Sequence, residues 1–153
     1  MTDQKIKTCL WFDGNAEEAA QFYVSVFKDS GITAVTPGPN DAALVVAFRL
    51  AGVEFLALNG GPQFRFNEAI SLSVDCHSQE ELDELWDKLS AGGSPVQCGW
   101  LKDRYGLSWQ IVPAVLPKLL AGGDPGRAQR VMGALMGMTK LDIRALEAAA
   151  EAP

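Results

Sequence analysis

Residues 6–27 read IKTCLWFDGNAEEAAQFYVSVF, and the spacing of their apolar side chains changes once. Ile6, Thr8, Leu10 and Phe12 alternate with Lys7, Cys9, Trp11 and Asp13. That two-residue period predicts a strand with one apolar and one mixed face. Asp13-Gly14 ends it, and Asn15 with Glu18 three residues on has the form of a capping box that starts a helix. Ala19, Phe22, Tyr23, Val26 and Phe27 then recur at helical spacing, so the helix carries an apolar stripe that needs a sheet to cover it.

Working outward, Ile32 to Thr36 reads as a short strand closed by the turn PGPND. Ala43 to Leu50 and Val53 to Leu58 read as two strands joined by the tight Ala51-Gly52 connection, which completes a β-α-β-β-β unit. Asn59-Gly60-Gly61-Pro62 interrupts the last strand, and Phe64 and Phe66 fall on the following loop. The grammar then repeats. Ile70, Leu72 and Val74 alternate with Ser71, Ser73 and Asp75, and Ser78 with Glu81 forms a second capping box. Leu82, Leu85, Trp86 and Leu89 form a second stripe, stopped by Gly92-Gly93. Glu18 laid over Glu81 matches Phe22 to Leu85 and Tyr23 to Trp86, an internal duplication at an offset of 63 residues.

The second unit is expected to finish with strands Val96 to Leu101 and Leu107 to Val112 around a turn at Lys102 to Gly106. A short helical segment, Val115 to Leu120, and the linker Ala121-Gly122-Gly123 lead to a tail. Asp124-Pro125 starts a helix with the stripe Ala128, Val131, Met132, Leu135 and Met136, and Thr139 with Asp142 begins an alanine-rich last helix. These tail helices read as packing or dimer elements.

The 153 residues, 48% hydrophobic and 21% charged, suit one ordinary globular domain. A net charge of -6 disfavours nucleic acid and anionic membrane as partners, because binding phosphates needs a concentrated positive field. The start MTDQKIK lacks an export pattern, and the longest apolar run, Ala42 to Phe48, is far short of a membrane span. Cys9, Cys76 and Cys98 are odd in number and without paired spacing, which predicts reduced thiols and a cytoplasmic location.

LWFDGNAEEAAQFY at 10–23, LNGGPQFRFNEAISLSV at 58–74, CGWLKDRYGLSWQIVP at 98–113 and RAQRVMGALMGMTKLDIRALEAA at 127–149 resemble the PhnB-like family, labelled 3-demethylubiquinone-9 3-methyltransferase. That family sits in the vicinal oxygen chelate superfamily of glyoxalases, extradiol dioxygenases and bleomycin-resistance proteins. The resemblance implies an α+β fold in which two tandem βαβββ modules, about residues 5–61 and 69–113, make an open mixed β-barrel. Helices lie outside it, and a helical tail follows over 114–153. It also implies that Lys7, Cys9, Trp11 and Asp13 look into one cavity, with Ser71, Ser73, Ser108 and Gln110 on its wall.

Glyoxalase-like members hold a divalent ion with His and Glu side chains from four strands. The matching positions here are Lys7, Phe55 or Ala57, Ala69 and Gln110, with Glu54 expected on the opposite face. Only Gln110 among these could coordinate, so no metal is expected. The rival cluster of Cys76, His77 and Cys98, with Cys9, lacks metal-ligand spacing. No two glycines stand at i and i+2, so the glycine turn of a Rossmann-type S-adenosylmethionine enzyme is missing and no cofactor is expected.

The expected ligand is a small organic molecule in a neutral, aromatic-walled pocket of a homodimer. Its candidate contacts are Trp11, Asn59, Phe64, Asn67, Ser71, Ser73, Trp100 and Gln110, with Trp109 turned by parity toward the helices. The alternative is a metal-independent lyase, isomerase or transferase using Cys98, Asp13 or Asp103. Against it stand a packed strand thiol for Cys98, a turn role for Asp13, and pairing with Lys102, Arg104 or backbone amides for Asp103.

Overall fold

The computed structural model describes residues 4–122 and 124–152, so Gly123 of the expected linker and the first three residues of MTDQKIK lie outside the described residues. The chain divides into two compact units, one ending at Phe66 and one beginning at Asn67.

In the first unit, strand β1 (Thr8–Phe12) leads to helix α1 (Ala16–Val26) and strands β2 (Gly31–Pro37), β3 (Ala43–Leu50) and β4 (Val53–Asn59). The sheet order is β1-β4-β3-β2, with β1 parallel to β4 and the other neighbours antiparallel. Ala51 and Gly52 join β3 to β4 at φ 47° and 85°. Both residues are left-handed, the geometry that a two-residue hairpin of matching twist requires. Leu10, Phe12, Val46, Phe48, Phe55 and Ala57 line the core face, where Ala16, Ala19, Ala20 and Tyr23 of α1 are buried. Small alanines let the helix approach the sheet closely, with Tyr23 stacked on Phe48 at 6.2 Å. Ile6 is 85% exposed, because β1 begins only at Thr8.

The capping box at Asn15 does not form, since that side chain makes no cap hydrogen bond although Asn15 is the N-cap residue. Asn59, arriving from β4, takes over the task. Its Oδ1 accepts from the Ala16 amide at 2.9 Å while its Nδ2 donates to the Ala43 carbonyl at 2.8 Å.

In the second unit, strand β5 (Ser71–Cys76) leads to helix α2 (Gln79–Ser90) and strands β6 (Ser94–Pro95), β7 (Trp100–Lys102) and β8 (Ser108–Pro113). The order β5-β8-β7-β6 repeats that of the first sheet, again with one parallel pair, β5 with β8. The duplication is real and its offset drifts. Thr8 pairs with Phe55, 47 residues on, whereas Ser71, which lies 63 residues after Thr8, pairs with Ser108 only 37 residues on. The second hairpin region is shorter. Here the capping box forms, with Ser78 Oγ accepting from the Glu81 amide at 3.1 Å and Glu81 Oε1 accepting from the His77 amide at 2.7 Å. Leu82, Leu85, Trp86 and Leu89 are buried as their spacing predicts.

The expected strand Val96 to Leu101 is broken. Gln97, Cys98 and Gly99 lie outside β6 and β7, with Cys98 and Gly99 left-handed at φ 64° and 84°. The kink is held by the tail, since the Cys98 and Gly99 amides donate to the Met138 and Thr139 carbonyls, each at 2.8 Å. A side chain at position 99 would also run into Leu141, which leaves room only for glycine. Cys98 is therefore not a packed strand thiol.

The tail forms helices α3 (Leu116–Leu120), α4 (Pro125–Met136) and α5 (Ile143–Glu151). Asp124 caps α4 as expected, but α5 is capped by Asp142 itself, whose carboxylate accepts from the Ala145 amide at 3.1 Å, and Thr139 precedes it as loop. Val131, Leu135, Leu141 and Leu146 are buried, while Met132 and Met136 are 41% and 61% exposed, so only two of the five α4 stripe residues, Val131 and Leu135, are core. Arg130 donates to the Ala149 and Ala150 carbonyls, tying α4 to the end of α5. Gln79 bonds the Leu141 carbonyl and the Ile143 amide, fastening the tail to α2.

Candidate functional site

Strand register assigns each candidate residue to a sheet face. In the second unit, Ser73 pairs with Gln110 and Gln110 with Trp100, while Ser71 pairs with Ser108 and Ser108 with Lys102. Directly paired residues point to the same side of a sheet. Ser71, Ser73, Ser108, Gln110, Trp100 and Lys102 therefore share the face away from the buried Leu101, Trp109 and Ile111. Gln110 Nε2 donates to Ser71 Oγ at 2.9 Å across the parallel pair. Ser108 is only 1% exposed, yet its hydroxyl has no hydrogen-bond partner among the described residues.

The hairpin after Trp100 is organised by Asp103, which is 3% exposed. Its Oδ1 accepts from the Tyr105 and Leu107 amides at 2.8 and 3.1 Å, and its Oδ2 accepts from Trp109 Nε1 at 2.8 Å. The carboxylate thus holds the turn and locks Trp109 on the core face. Lys102 pairs with Glu68 rather than with Asp103. That pair is exposed, and the Lys102 ammonium holds the Glu68 carboxyl below its ordinary value.

In the first unit, Cys9 and Trp11 lie on the face opposite Leu10 and Phe12. Trp11 Nε1 donates to the Gly61 carbonyl at 2.9 Å, and Phe64 stands edge-on to its ring at 4.9 Å. The indole lies against Gly60 so closely that a methyl group there would overlap it. Phe66 meets Phe12 on the other side at 5.4 Å. Phe64 is 66% exposed and Asp13 is exposed at the end of β1. Asn67 turns its Oδ1 onto the Ala69 amide at 2.9 Å, a local turn bond.

Glu54 requires a correction. Leu56 pairs with Cys9 and Leu58 with Trp11, so Glu54 shares the face of these residues, and Phe55 and Ala57 are the ones buried on the core face. The expected parity is reversed because alternation fixes which residues share a face but not which face it is, and only pairing with β1 supplies that. Even so, the donors do not fit a divalent ion held by the strands. Among the described residues of the first unit, the thiol and carboxylate on this face are Cys9 and Glu54, and in the second unit the paired positions are serines and a glutamine with Asp75 at the strand end. Among the described residues no three His, Cys, Asp or Glu side chains gather. The three cysteines are free, and burial, with Glu81 and Asp75 adding to it, pushes the Cys76 thiol up to about 12.

Two cavities in the second unit have no counterpart in the sequence reading. One of about 440 Å³ lies between Cys76, His77, Val115, Lys118 and Glu147, and one of about 610 Å³ lies between His77, Asp83, Lys140 and Arg144. Both depend on where the tail docks, which no local pattern announces.

A strand, a helix and three strands, repeated with the same sheet order, define the fold class of the vicinal oxygen chelate superfamily. Solved structures agree. A glyoxylase/bleomycin resistance protein/dioxygenase domain from Frankia sp. EAN1pec has a TM-score of 0.53 at 16% identity, covering 74% of this chain and 93% of that one. The fosfomycin resistance protein FosX from Listeria monocytogenes has 0.52 at 14% identity, covering 74% and 92%. More particularly, the family model described as 3-demethylubiquinone-9 3-methyltransferase matches residues 4–112, and the chain belongs to that family. A putative 3-demethylubiquinone-9 3-methyltransferase, PhnB protein, from Bacillus cereus is 34% identical with a TM-score of 0.66, covering 71% of this chain and 99% of that one. The family match ends before the tail, so the resemblance of the motif at 127–149 lies outside it. No curated protein matches the chain. No helix among the described residues is long and apolar enough to cross a membrane.

Proposed function

We propose that this protein binds a small organic molecule on the non-helical faces of its sheets, without a divalent metal held by the strands, and works as a homodimer in the cytoplasm. The observation that carries the reading is the Ser108 hydroxyl, buried without a partner beside the Gln110–Ser71 pair. An unpaired buried hydroxyl costs about 1–3 kcal/mol, and a ligand oxygen or nitrogen would offset that cost. Trp100 next to Gln110 supplies an aromatic surface, and Ser73 a further polar contact. In the first unit Trp11 and Phe64 offer an aromatic surface of their own, whereas Asn59 caps α1 from the core face and Asn67 of the second unit closes a local turn.

Methyl transfer is not the reading adopted. Both sheets are four-stranded and mixed, and the strand-to-helix junctions are Asp13-Gly14-Asn15 and His77-Ser78, without the glycine turn that brings backbone against a nucleotide in doubly wound folds. Native mass spectrometry of freshly purified protein tests the proposal in one measurement. A dimer carrying a non-covalent organic mass, free of zinc, nickel and iron and lost in Gln110→Leu, is the expected result. Stoichiometric zinc, nickel or iron, or methyl transfer from S-adenosylmethionine by the pure protein, would refute it.

A further inference from the structure

Met132 and Met136 stand out because a core stripe leaves them in solvent. They are one helical turn apart on α4, and residues at i and i+4 lie on one face. The Cys98 sulfur lies 3.8 Å from the Met136 sulfur. Chance alone does not hold Cys98 there. Its backbone is left-handed, a conformation uncommon for residues with a Cβ and found where the surroundings over-determine it. The two hydrogen bonds that the Cys98 and Gly99 amides donate to the Met138 and Thr139 carbonyls impose it, joining the kink to the chain just beyond Met136. The fold thus fixes a thiol and a thioether side by side at the surface, with a second thioether on the same helix face.

We propose that Cys98, Met136 and Met132 form a binding site for a soft monovalent metal ion, copper(I) or silver(I). Thiolate and thioether donors select copper(I) over ions that prefer oxygen or imidazole. Two metal–sulfur bonds of about 2.3 Å meeting at a trigonal angle of about 120° place their sulfurs about 4.0 Å apart, and the pair stands at 3.8 Å in the structure. The ion therefore enters with little movement of the chain, and Met132 swings in as the third donor. Binding replaces the Cys98 S–H bond by a metal–sulfur bond and releases one proton, with no change of oxidation state. Met138 is outside the set, because its sulfur accepts from the Asp142 amide at 3.4 Å.

The test is anaerobic titration of the full-length protein with copper(I), and separately silver(I), against a chromophoric copper(I) chelator. One equivalent is expected to bind tightly, with X-ray absorption showing only sulfur neighbours. Cys98→Ser is expected to abolish that equivalent, Met136→Leu and Met132→Leu to weaken it at least tenfold, and Cys9→Ser to leave it unchanged. Leucine conserves volume at these surface positions, so circular dichroism and melting temperature should match the parent. Absence of a tight equivalent, retention of full affinity in either methionine variant, or its loss in Cys9→Ser would overturn the proposal.

Discussion

Replacing Asp103 by alanine is expected to destabilise the protein by about 3–5 kcal/mol, a large share of the roughly 5–15 kcal/mol by which domains are stable. The donors on this carboxylate include the Tyr105 and Leu107 amides and Trp109 Nε1. A hydrogen bond to a charged acceptor contributes about 1.5–3 kcal/mol, and a buried donor left unpaired costs about 1–3 kcal/mol. The Tyr105 amide is only partly buried, so water can replace its partner, whereas the Leu107 amide and the Trp109 indole are buried with nowhere to turn. The three bonds share one acceptor and do not add fully. Asp103→Asn should cost less, about 1–2 kcal/mol. Its amide oxygen can keep the turn bonds, while its NH2 faces the indole N–H donor to donor. Urea unfolding followed by far-ultraviolet circular dichroism measures both variants. Near-ultraviolet dichroism reports whether Trp109 stays ordered. If Asp103→Ala unfolds within about 1 kcal/mol of the parent, the carboxylate does not organise the hairpin and its burial needs another explanation.

Asn59→Ala removes both the donor to Ala43 and the cap on α1, so a loss of about 1–2 kcal/mol is expected in the same assay, against less than half that for Asn15→Ala, whose side chain makes no cap bond. Equal losses would contradict the exchange of roles between the two asparagines. Cys76, with its thiol pushed up to about 12, should resist iodoacetamide at pH 8 in the native state and react after denaturation. Because the native state keeps this proton while the unfolded chain releases it, Cys76 lowers stability progressively as pH rises from about 9 toward 12 and has no such effect below that window. Thermal melts of the parent and Cys76→Ala across that range should therefore converge as the pH rises. Parallel curves would count against the shift.

Elements whose information is local were legible. The β5–α2 unit could be read residue by residue, because alternation, a capping box and a leucine–tryptophan stripe all act within a few residues of one another. The serines and Gln110 could be placed on one face for the same reason, since side chains alternate strictly along strands. Glu54 was misplaced because period two gives relative parity and not its absolute sense, which only pairing with β1 supplies. Asn15 and Asn59 show the other limit. Either amide has the chemistry of a cap, and the choice between them is made by a strand arriving from more than forty residues away.

The motif CGWLKDRYGLSWQIVP reads as a continuous hairpin with Cys98 inside its first strand. Tertiary contact decided otherwise, because the tail carbonyls of Met138 and Thr139 capture the Cys98 and Gly99 amides and bend the strand. By itself the sequence determined the two repeated units, their helices and the polar face that carries Gln110, since these follow from periodicity and capping. Only the tertiary structure decided which carboxylate is buried, which asparagine caps, and that a cysteine and a methionine 38 residues apart meet at the surface. Those outcomes depend on how the chain closes on itself, and the entropy of closing it is offset by contacts that no local window contains.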